Sequence, residues 1–171
     1  MKLKRLSTVL ALILGASALS TVPAQSAPDR SASSPAQATS PTATAATEYI
    51  WKNRVSLKYL YAQTDRDVIA LGKSSESQVT SYGRWTATFN GSYRLYRNKA
   101  MDLCLDSNSN GNVYLRSCST GNNFQNWLLV SEGGGFYRLK NRATGLCLDS
   151  SHAGSVYTNP CSSSNAYQHW S

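Results

Sequence analysis

The sequence predicts an all-β domain with the β-trefoil architecture, made of three repeats of ~40 residues. Two observations predict it: an internal repeat at a fixed spacing, and short apolar runs that are separated by Asn, Gly and Ser. Three repeats of about four strands each close into a barrel with a cap, because no repeat can bury its apolar face alone. A three-bladed or incomplete propeller is the alternative architecture, but it is less compact at this repeat length.

The repeat is clearest in the C-terminal half of the chain, where a shift of 43 residues superimposes two copies without a gap. The shift places residues 103–107 on residues 146–150. Further matched positions are Gly111 with Gly154, Cys118 with Cys161, and Gln125-x-Trp127 with Gln168-x-Trp170. An earlier, degenerate copy keeps the apolar positions and Trp85, but Tyr61 replaces the Asp and Ile69 replaces the Tyr. We therefore interpret the domain as a triplication.

Local patterns predict strands within these repeats. Residues 55–61 are rich in β-forming side chains, and residues 85–89 alternate between apolar and polar. Asn90-Gly91 predicts a two-residue hairpin turn before a strand over residues 92–96. The glycine run 133–135 predicts a second hairpin turn, before a strand over residues 136–139.

The N-terminal part of the chain differs in composition from the repeats. Residues 1–26 predict a cleaved secretory signal peptide, since basic residues precede a short apolar run and Ala24-Gln25-Ser26 offers small residues for cleavage. A retained membrane anchor is the alternative. Residues 27–47 are rich in Ala, Ser, Thr and Pro and predict a disordered linker or a wall-spanning stalk. Residues 48–171 then form the predicted domain, which we expect to be secreted to the cell exterior.

Composition excludes several classes of protein. The chain has 17 Lys and Arg against nine Asp and Glu, a formal charge of +8, but the basic residues are scattered. A nucleic-acid interface needs clustered basic residues, so no nucleic-acid partner is expected. No apolar run reaches the ~20 residues of a membrane-spanning helix, so no membrane span is expected. We expect a monomer.

The four cysteines are expected to form disulfides, because the protein is predicted to be exported. Four cysteines allow three pairings. The equivalence of the two repeats favours the local ones, Cys104–Cys118 and Cys147–Cys161. Zinc binding is the alternative, but the chain has no Cys-x-x-Cys spacing, and its two His, His152 and His169, both lie in the third repeat. We therefore predict no metal and no cofactor.

The motifs resemble a known family. Residues 105–114 read Leu-Asp-Ser-Asn-x-Asn-Gly-x-Val-Tyr, and Gln125-x-Trp127 follows. This combination resembles the ricin-type (R-type) β-trefoil lectins, and within them most closely the actinohivin-like bacterial lectins. The resemblance covers residues 48–171 and is strong in the second and third repeats. It implies a carbohydrate-binding module with one shallow sugar site in each intact repeat, and glycans or polysaccharide as partners.

The resemblance also implies the residues of each site. A carboxylate accepts hydrogen bonds from two sugar hydroxyls, and an aromatic ring covers the apolar face of the sugar. The implied sugar-binding residues are Asp106, Tyr114, Ser119 and Phe124 in the second repeat, and Asp149, Tyr157, Ser162 and Tyr167 in the third. One extra residue precedes Phe124 and Tyr167, so Asn122 or Asn165 is an alternative source of the amide group. Arg116 and Asn159 stand where galactose-binding members carry a Trp, which favours mannose-type glycans.

The recurring motif residues also have a structural interpretation. Trp85, Trp127 and Trp170 are expected in the core, because the degenerate repeat keeps its Trp. Gln125 and Gln168 are expected to bond the backbone at a strand corner. The two Asp residues are candidates for turn caps as well as for sugar ligands. Sugar binding is favoured because Asp and Tyr are lost together in the first repeat while the apolar positions persist.

The sequence favours a binding protein over an enzyme, so no catalytic residues are assigned. A glycosidase needs two carboxylates that converge on one bond, whereas Asp106 and Asp149 belong to different repeats. The alternative function is a secreted trefoil scaffold that binds no sugar and recognises a protein partner, such as a protease that it inhibits or an envelope-associated protein. Trefoils carry many functions, so the fold alone does not decide.

Overall fold

A computed structural model describes residues 47–171. The predicted signal peptide, residues 1–26, and all but the last residue of the predicted linker lie outside the described residues. The strands are β1 (Glu48–Tyr49), β2 (Tyr59–Ala62), β3 (Val68–Leu71), β4 (Trp85–Asn90), β5 (Tyr93–Asn98), β6 (Cys104–Ser107), β7 (Val113–Arg116), β8 (Trp127–Gly133), β9 (Phe136–Asn141), β10 (Cys147–Ser150) and β11 (Val156–Asn159). Short 3₁₀ helices span Glu76–Gln78, Ser81–Gly83, Asn123–Gln125 and Ala166–Gln168.

These strands form the β-trefoil that the sequence predicts. Long hairpins, β4–β5 and β8–β9, join neighbouring repeats, and β1–β4 and β5–β8 pairings extend them around the barrel. A bridge between Tyr137 and Trp170 continues this pattern at the C-terminal end. Each repeat adds a shorter hairpin, β2–β3, β6–β7 or β10–β11, and these three hairpins form the cap. No helix in residues 47–171 is long and apolar enough to cross a membrane.

The three cap hairpins are tied into a ring by equivalent hydrogen bonds. The carbonyls of Arg66, Gly111 and Gly154 accept from backbone N–H groups of the neighbouring hairpin at 2.8, 2.7 and 2.8 Å. All three residues have positive φ, and a Cβ on Gly154 would lie 2.5 Å from the Ala70 carbonyl oxygen. The close approach of the hairpins therefore requires glycine at that position.

One buried Trp anchors each repeat. Trp85, Trp127 and Trp170 have no exposed surface. Each indole N–H donates to the carbonyl of a buried leucine of its own repeat, at 3.2, 3.0 and 3.1 Å respectively; the acceptors are Leu60, Leu105 and Leu148. Because a buried indole N–H without a partner is costly, these bonds fix each ring against its cap hairpin.

Three equivalent buried asparagines hold the repeats to one another. Each side-chain Nδ2 donates to a backbone carbonyl in or beside the 3₁₀ helix of the adjoining repeat: Asn53 to Tyr167 at 2.7 Å, Asn98 to Tyr82 at 2.9 Å, and Asn141 to Phe124 at 2.7 Å. Each Oδ1 accepts from the backbone N–H groups two and three residues later. The Oδ1 of each asparagine thus stabilises the turn that follows it, and the Nδ2 positions the 3₁₀ helix of the adjoining repeat.

Both expected disulfides are present, Cys104–Cys118 and Cys147–Cys161, and the described residues contain no free cysteine. Each bridge joins the first residue of a cap strand to the loop after the hairpin. The local pairing follows from the register of β6 with β7 and of β10 with β11, which brings the loop back over its own repeat.

Two strand boundaries differ from the sequence expectation. The hairpin between β4 and β5 pairs Asn90 with Tyr93, so its two loop residues are Gly91 and Ser92 rather than Asn90 and Gly91. Gly91 has a φ of 61°, which a glycine adopts readily at the first loop position. The strand expected over residues 55–61 begins only at Tyr59, because residues 54–56 form a turn. The 133–135 turn agrees with expectation, since Gly133 pairs with Phe136.

The turn at residues 54–56 is followed by Leu57 in the left-handed region, with a φ of 58°. Its counterparts in the other repeats, Asp102 and Gly145, have φ values of 57° and 70°. All three donate their N–H to the carbonyl of the buried Asn four residues earlier, so the fold imposes this conformation. Leu57 is 59% exposed and gains little burial in return.

We predict that Leu57→Gly stabilises the domain by about 0.5–1 kcal/mol. The left-handed conformation costs an L-residue roughly 1–2 kcal/mol, which exceeds the ~0.5–1 kcal/mol entropic cost of a glycine. Urea unfolding followed by Trp fluorescence measures the change. Leu71→Gly is the matched control: Leu71 is also exposed but lies in β3, where glycine should destabilise. Equal effects of the two substitutions would contradict the strain at Leu57.

Candidate functional site

An acidic cluster lies beneath the surface of the second repeat. Asp106 on β6 is 1% exposed, and its Oδ2 accepts from Asn122 Nδ2 at 2.9 Å and from Gln125 Nε2 at 3.0 Å. A carboxylate with two amide donors is held in one orientation.

The third repeat repeats this cluster. Asp149 Oδ2 accepts from Asn165 Nδ2 at 2.9 Å and from Gln168 Nε2 at 3.1 Å. The two repeats therefore build the same arrangement with the same residue types.

Each glutamine of the Gln-x-Trp motif joins this cluster to the backbone. Gln125 Nε2 also donates to the Ser117 carbonyl at 2.9 Å, and its Oε1 accepts from the Ser119 N–H at 2.8 Å. Gln168 bonds the Pro160 carbonyl and the Ser162 N–H in the same way, both at 2.9 Å. The expected backbone bonding is present, and the additional bond from each glutamine to the carboxylate is one that the local sequence pattern does not indicate. Because these bonds occupy both the Oε1 and the Nε2 of each glutamine, the glutamines hold the carboxylate and the loop backbone in place.

A tyrosine stands directly across the hairpin from each carboxylate. Asp106 pairs with Tyr114 and Asp149 pairs with Tyr157 in the strand register, so each side chain shares a face with its partner. Burial raises the pKa of both phenols above the ordinary value, and the neighbouring carboxylate raises it further. Each ring therefore lies close to its carboxylate.

The surroundings of the two tyrosines differ in charge. The guanidinium carbon of Arg116 lies 5.7 Å from the centre of the Tyr114 ring, and its charge partly opposes the rise in the pKa of that phenol. In the third repeat Asn159 is the counterpart of Arg116, and the neighbouring Tyr167 raises the pKa of Tyr157 instead of lowering it. Tyr114 also borders two open cavities of about 420 and 380 Å³, and Arg116 lines the second of them.

The carboxylates are more enclosed than the sequence analysis expected. A carboxylate that accepts hydrogen bonds from two sugar hydroxyls would use both of its oxygens, whereas Oδ2 already accepts two amide N–H groups in each repeat. Asp149 Oδ1 is buried and has no hydrogen-bond partner within residues 47–171. A buried acceptor without a donor is costly, so the Oδ1 of Asp149 lacks a hydrogen bond that would stabilise it.

The remaining expected site residues fall into two groups. Phe124 and Tyr167 are half-buried in the 3₁₀ helices Asn123–Gln125 and Ala166–Gln168, and the Oδ1 atoms of Asn122 and Asn165 cap those helices. The two serines lie elsewhere: Ser119 lines a separate cavity of about 230 Å³ beside the Cys104–Cys118 bridge. Ser162 Oγ bonds Ser164 Oγ at 2.8 Å. The amide groups beside the carboxylates thus come from Asn122 and Asn165.

The first repeat fills the equivalent position with an aromatic ring. Tyr61 replaces the Asp and is buried, and its hydroxyl accepts from the Thr80 N–H at 2.9 Å. Gly83 stands where the other repeats have the glutamine, two residues before Trp85. A Cβ on Gly83 would lie 2.5 Å from Tyr61 Cε2 and 2.6 Å from Val79 Cγ1. The glycine therefore makes room for the ring. The sequence contains a signal for this change, because the 42-residue offset between Trp85 and Trp127 aligns Gly83 with Gln125.

The profile of the ricin-type beta-trefoil lectin domain matches residues 53–170. The chain belongs to this family. No curated protein matches it. The profile covers all three repeats, so the degenerate first repeat is part of the lectin domain.

Solved structures share the fold of this lectin domain. ThreeFoil, a designed protein with threefold symmetry, is 27% identical with a TM-score of 0.63, over 72% of this chain and 95% of ThreeFoil. SeviL, solved with the asialo-GM1 saccharide, is 20% identical with a TM-score of 0.58, over 73% of this chain and 94% of SeviL.

A glycosidase also contains this fold. An endo-β-galactosidase from Clostridium perfringens that releases GlcNAcα1-4Gal is 18% identical with a TM-score of 0.64. The match covers 72% of this chain but only 31% of that enzyme. At such identity the likeness concerns the fold.

The enclosed carboxylates predict a stability effect in the lectin domain. Asp106→Ala removes the acceptor of Asn122 and Gln125, so we expect a loss of about 1–3 kcal/mol from the two unpartnered donors. Urea unfolding measures it. Glu76→Ala, at an exposed position, is the control and should stay within about 0.5 kcal/mol of wild type. An Asp106 variant as stable as this control would show that the cluster is not structural.

The packing of the first repeat makes a second prediction. Gly83→Ala should destabilise the domain by roughly 1–3 kcal/mol, because the new methyl group overlaps the Tyr61 ring and Val79. Gly72→Ala is the matched control, since its Cβ would meet no atom within 4 Å. Thermal unfolding compares the two variants. A Gly83→Ala protein with the stability of the control would mean that the ring does not fill the position.

Proposed function

We propose that this protein is a secreted carbohydrate-binding module with sugar sites in its second and third repeats. The observation that carries the proposal is the contrast between repeats. Two repeats place a tyrosine beside an Asp–Asn–Gln cluster, whereas the first replaces the Asp and Gln by a packed Tyr61–Gly83 pair. Residues that serve only the fold would be needed in all three repeats, as the Trp and Asn residues are.

The chemistry of each cluster suits a sugar. A half-buried aromatic ring covers the apolar C–H face of a pyranose, and the enclosed carboxylate with its amide partners fixes the cap hairpin and the 3₁₀ helix that carry the aromatic rings. In the third repeat Asp149 Oδ1 has no donor within residues 47–171, but it is enclosed, so a sugar hydroxyl reaches it only if the side chains around it move. The solved complex of SeviL with a saccharide supports carbohydrate binding by trefoils of this kind.

We propose that the two sites differ in affinity. The third-repeat site combines Tyr157 with Tyr167, which offers two phenol groups, whereas the second-repeat site pairs Tyr114 with Phe124, which has no hydroxyl. Arg116 beside Tyr114 has Asn159 as its counterpart. Neither Arg116 nor Asn159 is an aromatic platform of the galactose-binding kind, so mannose-type glycans, as in the actinohivin-like lectins, are the proposed ligands.

Binding without catalysis is proposed. The carboxylates of Asp106 and Asp149 belong to different repeats, and each is held in its own amide cluster. A monomer with two shallow sites on one rigid domain would gain avidity toward repetitive glycans. The glycosidase that shares this fold is much longer than the matched domain, so the trefoil accounts for only part of it.

A glycan array with variants tests the proposal. Tyr114→Ala and Tyr157→Ala are preferred to changes of the Asp residues, because the carboxylates also support the fold. Each single change should weaken binding to multivalent glycans roughly 10-fold or more by removing one of two linked sites, and the double change should abolish it. Tyr82→Ala, another partly exposed tyrosine, is the control and should bind as wild type does.

Two outcomes would contradict the proposal. Undiminished binding by the double tyrosine variant would place the sugar elsewhere on the domain. If the wild-type protein bound no glycan on the array, the scaffold function would be favoured. For that function the side chains of Val55 and Leu57 in the first repeat, 40% and 59% exposed, offer an apolar contact surface.

A further inference from the structure

An arginine lies at an inward-facing position of the barrel. Side chains alternate along β5, and Tyr96 and Asn98, which share a face with Arg94, are both fully buried. Arg94 pairs across the sheet with Phe89 on β4 and with Trp127 on β8. Since Trp127 is a core residue, Arg94 faces the barrel interior near the end opposite the cap.

The threefold counterparts of Arg94 are both tyrosines. Tyr49, Arg94 and Tyr137 are related by the repeat shifts, and they pair with Trp85, Trp127 and Trp170 respectively. These three side chains and Trp51 line a cavity of about 450 Å³, which Ile50 and Leu129 also border. We call this cavity the barrel mouth. Ser92 and Ser171 complete the lining, and among residues 47–171 Arg94 supplies its only charged side chain. The volume of the barrel mouth is that of a small-molecule pocket.

Arg94 forms no ion pair within residues 47–171. No acidic side chain within residues 47–171 forms an ion pair with it, although Arg84, Arg97 and Arg138 each have one. Its Nε is buried without a hydrogen-bond partner, and its guanidinium carbon lies 5.3 Å from the centre of the Phe89 ring. A half-buried guanidinium that lacks an acceptor is costly, and an anion would supply one.

One aromatic group beside Arg94 also lacks a partner. The indole N–H of Trp51 is buried and has no hydrogen-bond partner within residues 47–171. Burial raises the pKa of Tyr96, and the neighbouring Arg94 guanidinium opposes that rise, so the phenol lies close to the cation. Phe89, at 63% exposed, extends the apolar surface at the same end of the barrel. The barrel mouth therefore combines one cationic side chain with apolar walls and the unpartnered indole N–H of Trp51.

We propose that the barrel mouth binds a small amphiphilic carboxylate, with the carboxylate on Arg94 and the apolar body against Tyr49 and Tyr137. This site is separate from the proposed sugar sites. Its lining comes from β1, β5, β8, β9 and adjoining loops, whereas the sugar clusters lie on the cap hairpins and the 3₁₀ helices. The proposal therefore holds whether or not the domain binds glycans.

The experiment compares octanoate with 1-octanol, which has the same chain and no charge, on the wild-type domain by isothermal titration calorimetry. We expect octanoate to bind about 10-fold or more tightly than octanol, because a charge-assisted hydrogen bond favours the anion. Arg94→Tyr, which installs the residue of the other two repeats, should remove that preference. Arg97→Gln is the control, since Arg97 lies on the opposite face of the same strand and is paired with Asp102.

An NMR readout on the wild-type protein keeps the test decisive if Arg94→Tyr does not fold. Octanoate should shift the indole N–H resonance of Trp51. The indoles of Trp85, Trp127 and Trp170 should not move, because they are bonded to leucine carbonyls deep in the core. Equal affinity for octanoate and octanol, an unmoved Trp51 resonance, or an Arg94→Tyr protein that keeps the preference would each overturn the proposal.

Discussion

The fold depends on one buried contact made three times, the hydrogen bond from a tryptophan indole to a leucine carbonyl. Trp85, Trp127 and Trp170 each bring their own cap hairpin onto the barrel in this way. Three buried asparagines complement the tryptophans by tying each repeat to its neighbour. Because each indole and its leucine acceptor have no exposed surface, losing one of the tryptophan bonds would leave a polar atom unsatisfied in the core. No repeat is therefore independent of the other two.

Positions outside this framework have diverged between the repeats, and the functional proposals arise from those differences. Tyr61 and Gly83 have changed together, since the ring needs the space that a glutamine side chain would occupy. Arg94 stands where Tyr49 and Tyr137 have aromatic rings, and no acidic side chain of residues 47–171 pairs with it. The pseudo-threefold symmetry thus serves as an internal reference: a residue that differs from both of its counterparts marks a place where the packing no longer explains the side chain.

The candidate site could be predicted in part. The repeated Asp and Tyr share a cap hairpin, so their proximity follows from strand pairing, and the structure places Asp106 opposite Tyr114 as a directly paired residue. The choice between serine and asparagine could not be made from the sequence, since it depends on how the loop after the hairpin folds back. The 3₁₀ helix turns Asn122 toward Asp106, while Ser119 lies beside the disulfide. The burial of the carboxylates was likewise hidden, because it results from donors supplied by a different part of the repeat.

The sequence by itself determined the number of repeats, the all-β class and both disulfides, because a motif repeated at fixed spacing must form equivalent structures and equivalent cysteines then lie in the same local geometry. Strand ends were less certain: the conformation of Leu57 and the turn at Gly91 depend on bonds to residues that a local pattern does not include. Only the tertiary structure decided which side chains are enclosed and which lack a partner. Burial and hydrogen bonding are properties of groups brought together from distant positions, and the exposure of Arg94 to the barrel interior appears only when the strands have closed around it.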